Sequence, residues 1–201
     1  MLTAYDLESV RNDQVIFSSV NFTLFPGEIL HISGANGCGK STLLHILMGL
    51  LLPEKGEVRW RDVLIGECAA AYQAQLLYIG HKIGVKNTLT VRENLQLAAK
   101  LGKGVLDLDL QQALRYFNLH SLQDMVCAHL SAGQRQRVAL TRLLILEAGL
   151  WILDEPFTAI DSESVVLLQD LIQQQVQRGG MVVLTSHQPF ALPGVKELRL
   201  C

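Results

Sequence analysis

The sequence predicts an α/β fold in which a parallel sheet is interrupted by a helical insert and preceded by an antiparallel β portion. Three observations carry that expectation. Short buried runs, EILHIS (28–33), LWILD (150–154) and MVVLTS (181–186), alternate with helix-length stretches, the alternation that builds a parallel sheet. A glycine-rich turn, GANGCGKST (34–42), joins the first of these runs directly to a helical pattern. Residues 82–147 read instead as helices and turns, so the insert falls between two strands of the core.

Bulk properties agree with one domain of 201 residues, with 1–81 and 148–201 forming the core. Apolar residues make up 49% of the chain, enough for a sizeable core, and a formal charge of −2 offers nothing to attract nucleic acid. Cys38, Cys68, Cys127 and Cys201 are scattered with no CxxC pair, which suits reduced thiols in a cytosolic protein. The start MLTAYDLESV carries Asp6 and Glu8 and lacks the basic-then-apolar form of a signal peptide. The longest apolar run, Leu43 to Leu52, is broken by His45 and falls short of the roughly 20 residues a membrane span needs.

In chain order, residues 3–32 read as strands, with VNFTLF alternating and Pro26-Gly27 turning into EILHIS. A helix is expected from Lys40 to Leu51, stopped near Pro53. GEVRW and LLYIG are further strands, and Thr90-x-x-Glu93 is a capping box that opens a helix ending near Gly102. Helix is expected from there to about Gly149, with turns at Gly102-Lys103-Gly104 and Asn118. LWILD, a helix from Ser162 to Arg178, MVVLTS and VKELRL (195–200) then restore the alternation.

GANGCGKST has the strand–loop–helix setting of a P-loop. Glycines let the backbone wrap a phosphate so that successive N–H groups point inward. Gly34, Ala35, Asn36, Gly37, Cys38, Gly39, Lys40, Ser41 and Thr42 are therefore expected to bind a nucleotide, with the Lys40 charge on the β/γ-phosphates and the Ser41 hydroxyl on Mg²⁺. LWILDEP (150–156) ends a buried strand in two carboxylates. Asp154 suits Mg²⁺ held through its water shell, and Glu155, expected on the other side of the pleat, suits a general base for water. His187, after MVVLTS, can hydrogen-bond a γ-phosphate and hold the attacking water, but a lone strand-end histidine is informative only in company. LSAGQ (130–134) adds a second helix start with free N–H groups, a second anion site.

Taken in order, the P-loop, LSAGQ, LWILDEP, TAID (158–161) and the following histidine resemble the ABC-type ATPases over nearly the whole chain. The resemblance implies a head-to-tail homodimer in which Ser131, Ala132, Gly133 and Gln134 of one copy close on the ATP of the other, with Ser131 and Gly133 at its γ-phosphate. It likewise implies that Asp161 crosses the dimer seam. Two slots depart from the family pattern. Where an aromatic commonly stacks on adenine stands Arg11, with Tyr5 or Phe17 as alternatives; where a glutamine touches Mg²⁺ and faces the membrane subunit stands His81.

LLYIGHKIGVK, the short length, LWILDEPFTAID and TSHQP together narrow the resemblance to the ATP-binding subunits of cytochrome c maturation systems. That implies peripheral attachment to the cytoplasmic face of the inner membrane through integral subunits of the CcmB and CcmC type, and ATP hydrolysis linked to heme delivery or to release of a loaded chaperone. Another small ABC exporter is the alternative, and a soluble ABC ATPase of repair or translation is a third class, disfavoured by the single cassette and ordinary insert. Ile83, Val85, Leu89 and Val91, just after His81, are expected to offer an apolar docking surface for the membrane subunit.

Overall fold

The computed structural model describes residues 1–80, 82–102, 109–187, 190 and 192–200. Its first hairpin joins β1 (Leu2–Arg11) to β2 (Gln14–Leu24) antiparallel through Asn12-Asp13, both at positive φ, as a two-residue turn between twisted strands requires. With β4 (Lys55–Trp60) and β5 (Val63–Leu64) the hairpin forms a four-stranded sheet in the order β2-β1-β4-β5. β3 (Ile29–Ser33) leaves that sheet. It enters a parallel five-stranded one, ordered β6-β7-β8-β3-β9, with β6 (Leu76–Ile79), β7 (Leu150–Leu153), β8 (Met181–Thr185) and β9 (Val195–Arg199).

Every residue of β7 and β8 is buried, because helices or strands cover both faces of this sheet. The period of two sorts the side chains. Ile29, Leu77, Ile79, Trp151, Leu153, Val182 and Leu184 enter one core, against the helices α3 (Val91–Leu101), α4 (Leu110–Tyr116), α5 (Ala132–Ile145) and α6 (Ser162–Gln177). Leu30, Ile32, Leu150, Ile152, Met181 and Val183 enter the other, against α1 (Lys40–Leu47) and the antiparallel sheet. The phosphate loop thus leaves the central region of the sheet, and α3 to α5 lie in the stretch between β6 and β7.

Several boundaries differ from expectation. α1 stops at Leu47, not Leu51, because Gly49 takes φ 70° and turns the chain before Pro53 is reached. The stretch after α4 is not continuous helix: 3₁₀ turns at His120–Leu122 and Cys127–His129 and a bridge from Thr90 to Val126 intervene. Asn118 does turn the chain, at φ 54°, whereas Lys103 and Gly104 of the other expected turn lie outside the described residues. β5 and α2 (Ala69–Gln73) had no pattern strong enough to announce them. The Thr90/Glu93 capping box is present in full.

Candidate nucleotide site

The phosphate loop is held open by backbone that side chains would obstruct. Gly34, at φ 148°, has the carbonyl oxygen of Leu200 and Cys38 Sγ 2.5 and 2.6 Å from where a Cβ would stand. At Gly39, φ 97°, the same position meets Ile16 and Phe17 of β2 at 2.5 and 2.9 Å. Gly39 is also the N-cap of α1 and supplies no side-chain bond, so the first N–H groups of that helix remain for an anion. Lys40 is 8% exposed, and its Nζ donates to the carbonyls of Gly34 (2.8 Å) and Ala35 (3.1 Å). The ammonium therefore stands inside the loop with donor capacity left for an anion. Ala35, Asn36 and Gly37 are exposed on the loop and Thr42 half-buried on α1. Cys38 is buried beneath the loop, in the second core.

Beside the loop, a chain of hydrogen bonds crosses three elements. Ser41 Oγ donates to Asp154 Oδ2 at 3.1 Å, and Thr185 Oγ1 donates to Asp154 Oδ1 at 2.8 Å. Thr185 Oγ1 in turn accepts the Glu155 N–H at 2.9 Å, and the His187 N–H donates to Glu155 Oε2 at 3.1 Å. Hydroxyl and carboxylate oxygens of Ser41 and Asp154 converge as the hard donor set Mg²⁺ prefers, so the residues present fit that ion. Thr185, fully buried, was missed in the sequence; the only sign was a hydroxyl closing the apolar run MVVL.

Glu155 is not across the pleat from Asp154, as the strand pattern had suggested. β7 ends at Leu153 and Glu155 sits at φ 53°, a left-handed conformation that side chains rarely adopt and that aims the carboxylate away from the strand direction. Its Oε1 is buried with no hydrogen-bond donor among the described residues, although the half-exposed His187 ring brings Nε2 to 3.4 Å. An acceptor left in that state beside a phosphate loop is equipped to take a proton from water.

LSAGQ forms a separate unit. Ser131 caps α5 in a full capping box with Gln134, their bonds measuring 2.8 and 3.1 Å. Gly133 lies against the carbonyl of Ala159, and Gln136 reaches the Pro156 carbonyl at 3.3 Å, so the helix leans on the segment after Glu155. Asp161 caps α6, accepting the Ser164 N–H at 2.8 Å with Arg137 3.8 Å away. The hydrogen bonds from Ser164 hold its carboxyl below the ordinary carboxylate range, with the Arg137 charge adding to the effect.

The less regular slots fare differently. Arg11 is exposed at the β1–β2 turn, close in sequence to Ile16, whose side chain borders Gly39. Phe17 is buried in the core against Gly39 and has no face left for adenine; Tyr5 is half-exposed further back along β1. His81 lies outside the described residues. Of the expected docking set, Val91 is fully buried, Ile83 and Val85 are partly buried against the first core, and Leu89 is half-buried. Arg142 of α5, also unanticipated, donates to the Ile83 carbonyl at 2.7 Å.

Fold and site together define an ATP-binding cassette of the P-loop class. The family model for ABC transporters matches residues 17–158, and the chain belongs to that family. It is 44% identical over 203 residues, 100% of both chains, to the cytochrome c biogenesis ATP-binding export protein CcmA of Dechloromonas aromatica. It is 42% identical to the protein of the same name from Yersinia pestis, over 100% of this chain and 92% of that one. Among solved structures, an ATP-binding subunit of an ABC transporter superposes with TM-score 0.83 at 30% identity, covering 93% of this chain and 79% of the other. A dimeric cassette in a post-hydrolysis state with ADP and Pi shares the fold at TM-score 0.79 and 23% identity, over 94% and 88% of the two chains.

Proposed function

We infer that this chain is the ATP-hydrolysing subunit of an inner-membrane ABC complex in cytochrome c biogenesis, serving heme export or delivery or the release of a heme-loaded chaperone. The observation that carries the hydrolytic part is the hydrogen-bond chain from Ser41 through Asp154 and Thr185 to Glu155 and His187. The relatives at 42–44% identity, each an ATP-binding export protein of cytochrome c biogenesis by name, support the biological part.

In this reading Lys40 and the loop amides hold the β/γ-phosphates of ATP. Ser41, and Asp154 through water, would hold Mg²⁺, which would supply positive charge to the phosphate oxygens. Glu155 accepts a proton from the water that attacks the γ-phosphorus while the bond to the ADP oxygen breaks, and His187 holds the γ-phosphate side. Ser131, Ala132, Gly133 and Gln134 of a second copy cover that phosphate, so the working unit is a homodimer. Membrane attachment comes through CcmB- and CcmC-type subunits on the cytoplasmic face; no helix of the described residues is long and apolar enough to cross a bilayer.

The test is to express Lys40→Ala in cells that depend on this chain for c-type cytochromes. Loss of covalent heme attachment, with the variant still co-purifying with CcmB-type subunits, is the expected result. Normal cytochrome c levels in those cells would remove the assignment.

A further inference from the structure

β3 carries a polar residue where its neighbours are apolar. His31 lies between Leu30 and Ile32, shares the Ile29 face by alternation, and its side chain is only 12% exposed. Its contacts lead to the hydrolytic segment. Nε2 stands 3.3 Å from the carbonyl oxygen of Ser186, and because a carbonyl only accepts, the ring nitrogen donates. Ser186 lies just past the last β3–β8 pair, Ile32 with Thr185, and is the residue immediately before His187.

The ring has two further neighbours. Nδ1 faces Glu197 Oε1 at 3.7 Å across the β3–β9 pair, in which the two residues are register partners. The Phe190 ring meets His31 edge-on with centroids 4.9 Å apart. Phe190 also stacks on Phe157 at 5.5 Å and 25°, and Phe157 stands two residues beyond Glu155. One imidazole on β3 thus touches the segment of His187 directly and reaches the segment after Glu155 through Phe190.

We propose that His31 is a positioning residue for hydrolysis: it grips the Ser186 carbonyl from below and Phe190 from the side, and so sets where His187 stands relative to Glu155. The proposal rests on the reading of Glu155 and His187 as the hydrolytic pair. Its physical basis is that β3 and β8 are paired up to Thr185, whereas Ser186 and His187 lie past the last pair and are placed by the contacts they make there. A misplacement of about 1 Å is enough to cost roughly a hundredfold in rate.

The experiment compares full-length wild type with His31→Leu, His31→Gln and His187→Ala. It measures ATP affinity, turnover, thermal midpoint and the imidazole resonances of His187 in ¹⁵N-histidine-labelled protein. His31→Leu should bind ATP as wild type does yet turn over about tenfold or more slowly, with His187 resonances shifted. His31→Gln, whose amide can donate to the same carbonyl, should recover most of the rate and the wild-type resonances. Wild-type turnover in His31→Leu, with His187→Ala inactive, overturns the proposal alone. So does a His31→Gln variant as impaired as His31→Leu. Wild-type turnover in His187→Ala overturns the hydrolytic reading and this proposal with it.

Discussion

Gly133 lies so close to the carbonyl oxygen of Ala159 that a Cβ on it would stand 2.5 Å away. The contact joins the start of α5 to the turn between Glu155 and Asp161, where Ala159 itself sits at φ 64°. The glycine of LSAGQ therefore has a task within its own chain, besides any contact with a second copy's nucleotide. It lets α5 press on the segment that follows Glu155.

A methyl group at that point has to displace backbone, which cannot give way as a flexible side chain can. Gly133→Ala is expected to lower stability by about 1–3 kcal/mol, the usual cost of overpacking. It should also slow turnover by moving Ala159 and, with it, Asp161. Thermal unfolding and ATP hydrolysis measured together check this; an unchanged melting temperature would show that the turn yields freely.

Glu155→Gln separates binding from chemistry. The amide keeps the size and polarity of the side chain but cannot take up the proton from water. Turnover should fall by about 10²–10⁴-fold while ATP still binds. With hydrolysis blocked, the closed dimer should accumulate, and gel filtration in ATP and Mg²⁺ should move the protein from monomer to dimer volume. A variant that binds ATP and elutes only as monomer would argue against a site shared between two copies.

Asp161 gives a pH-dependent prediction. As the N-cap of α6 it accepts from Ser164, and the folded state holds its carboxyl below the ordinary range, so protons bind it more readily in the unfolded chain. Its contribution is present at neutral pH and is lost as pH falls through its folded-state value. Asp161→Ala should cost about 1 kcal/mol at pH 7, as the loss of an N-cap does. Denaturant melts of the two proteins should converge on acidification below the usual carboxylate range. A difference that stays constant down to pH 2 would mean that the cap bond is not its source.

The phosphate loop, the two carboxylates after LWIL and the signature helix were legible because each is a local pattern. Glycines at the spacing of GANGCGKST need no distant partner to announce a phosphate nest, and Ser131 with Gln134 closes a capping box within one turn of helix. Strand against helix was legible for the same reason, since β7 and β8 are buried on both faces and read as unbroken apolar runs. Boundaries were harder. Pro53 suggested the stop for α1, and only the observed φ at Gly49 shows that the chain turns earlier.

What the sequence determined by itself, then, is the chemistry on offer: an ammonium in a glycine loop, a hydroxyl beside it, two adjacent carboxylates, a strand-end histidine and a second helix start. Tertiary structure decided how these meet. Thr185 became the link between Asp154 and Glu155 because β7 and β8 are neighbours in the sheet, although the residues are far apart in the chain. Val91 became core, and Ile83 and Val85 came to pack against it, through contacts with distant parts of the chain. His31 gained a role only through β3 lying beside β8 and β9. Periodicity and spacing record what a residue does within a few positions of itself, whereas contacts between distant segments arise from the order in which strands assemble, which no short pattern encodes.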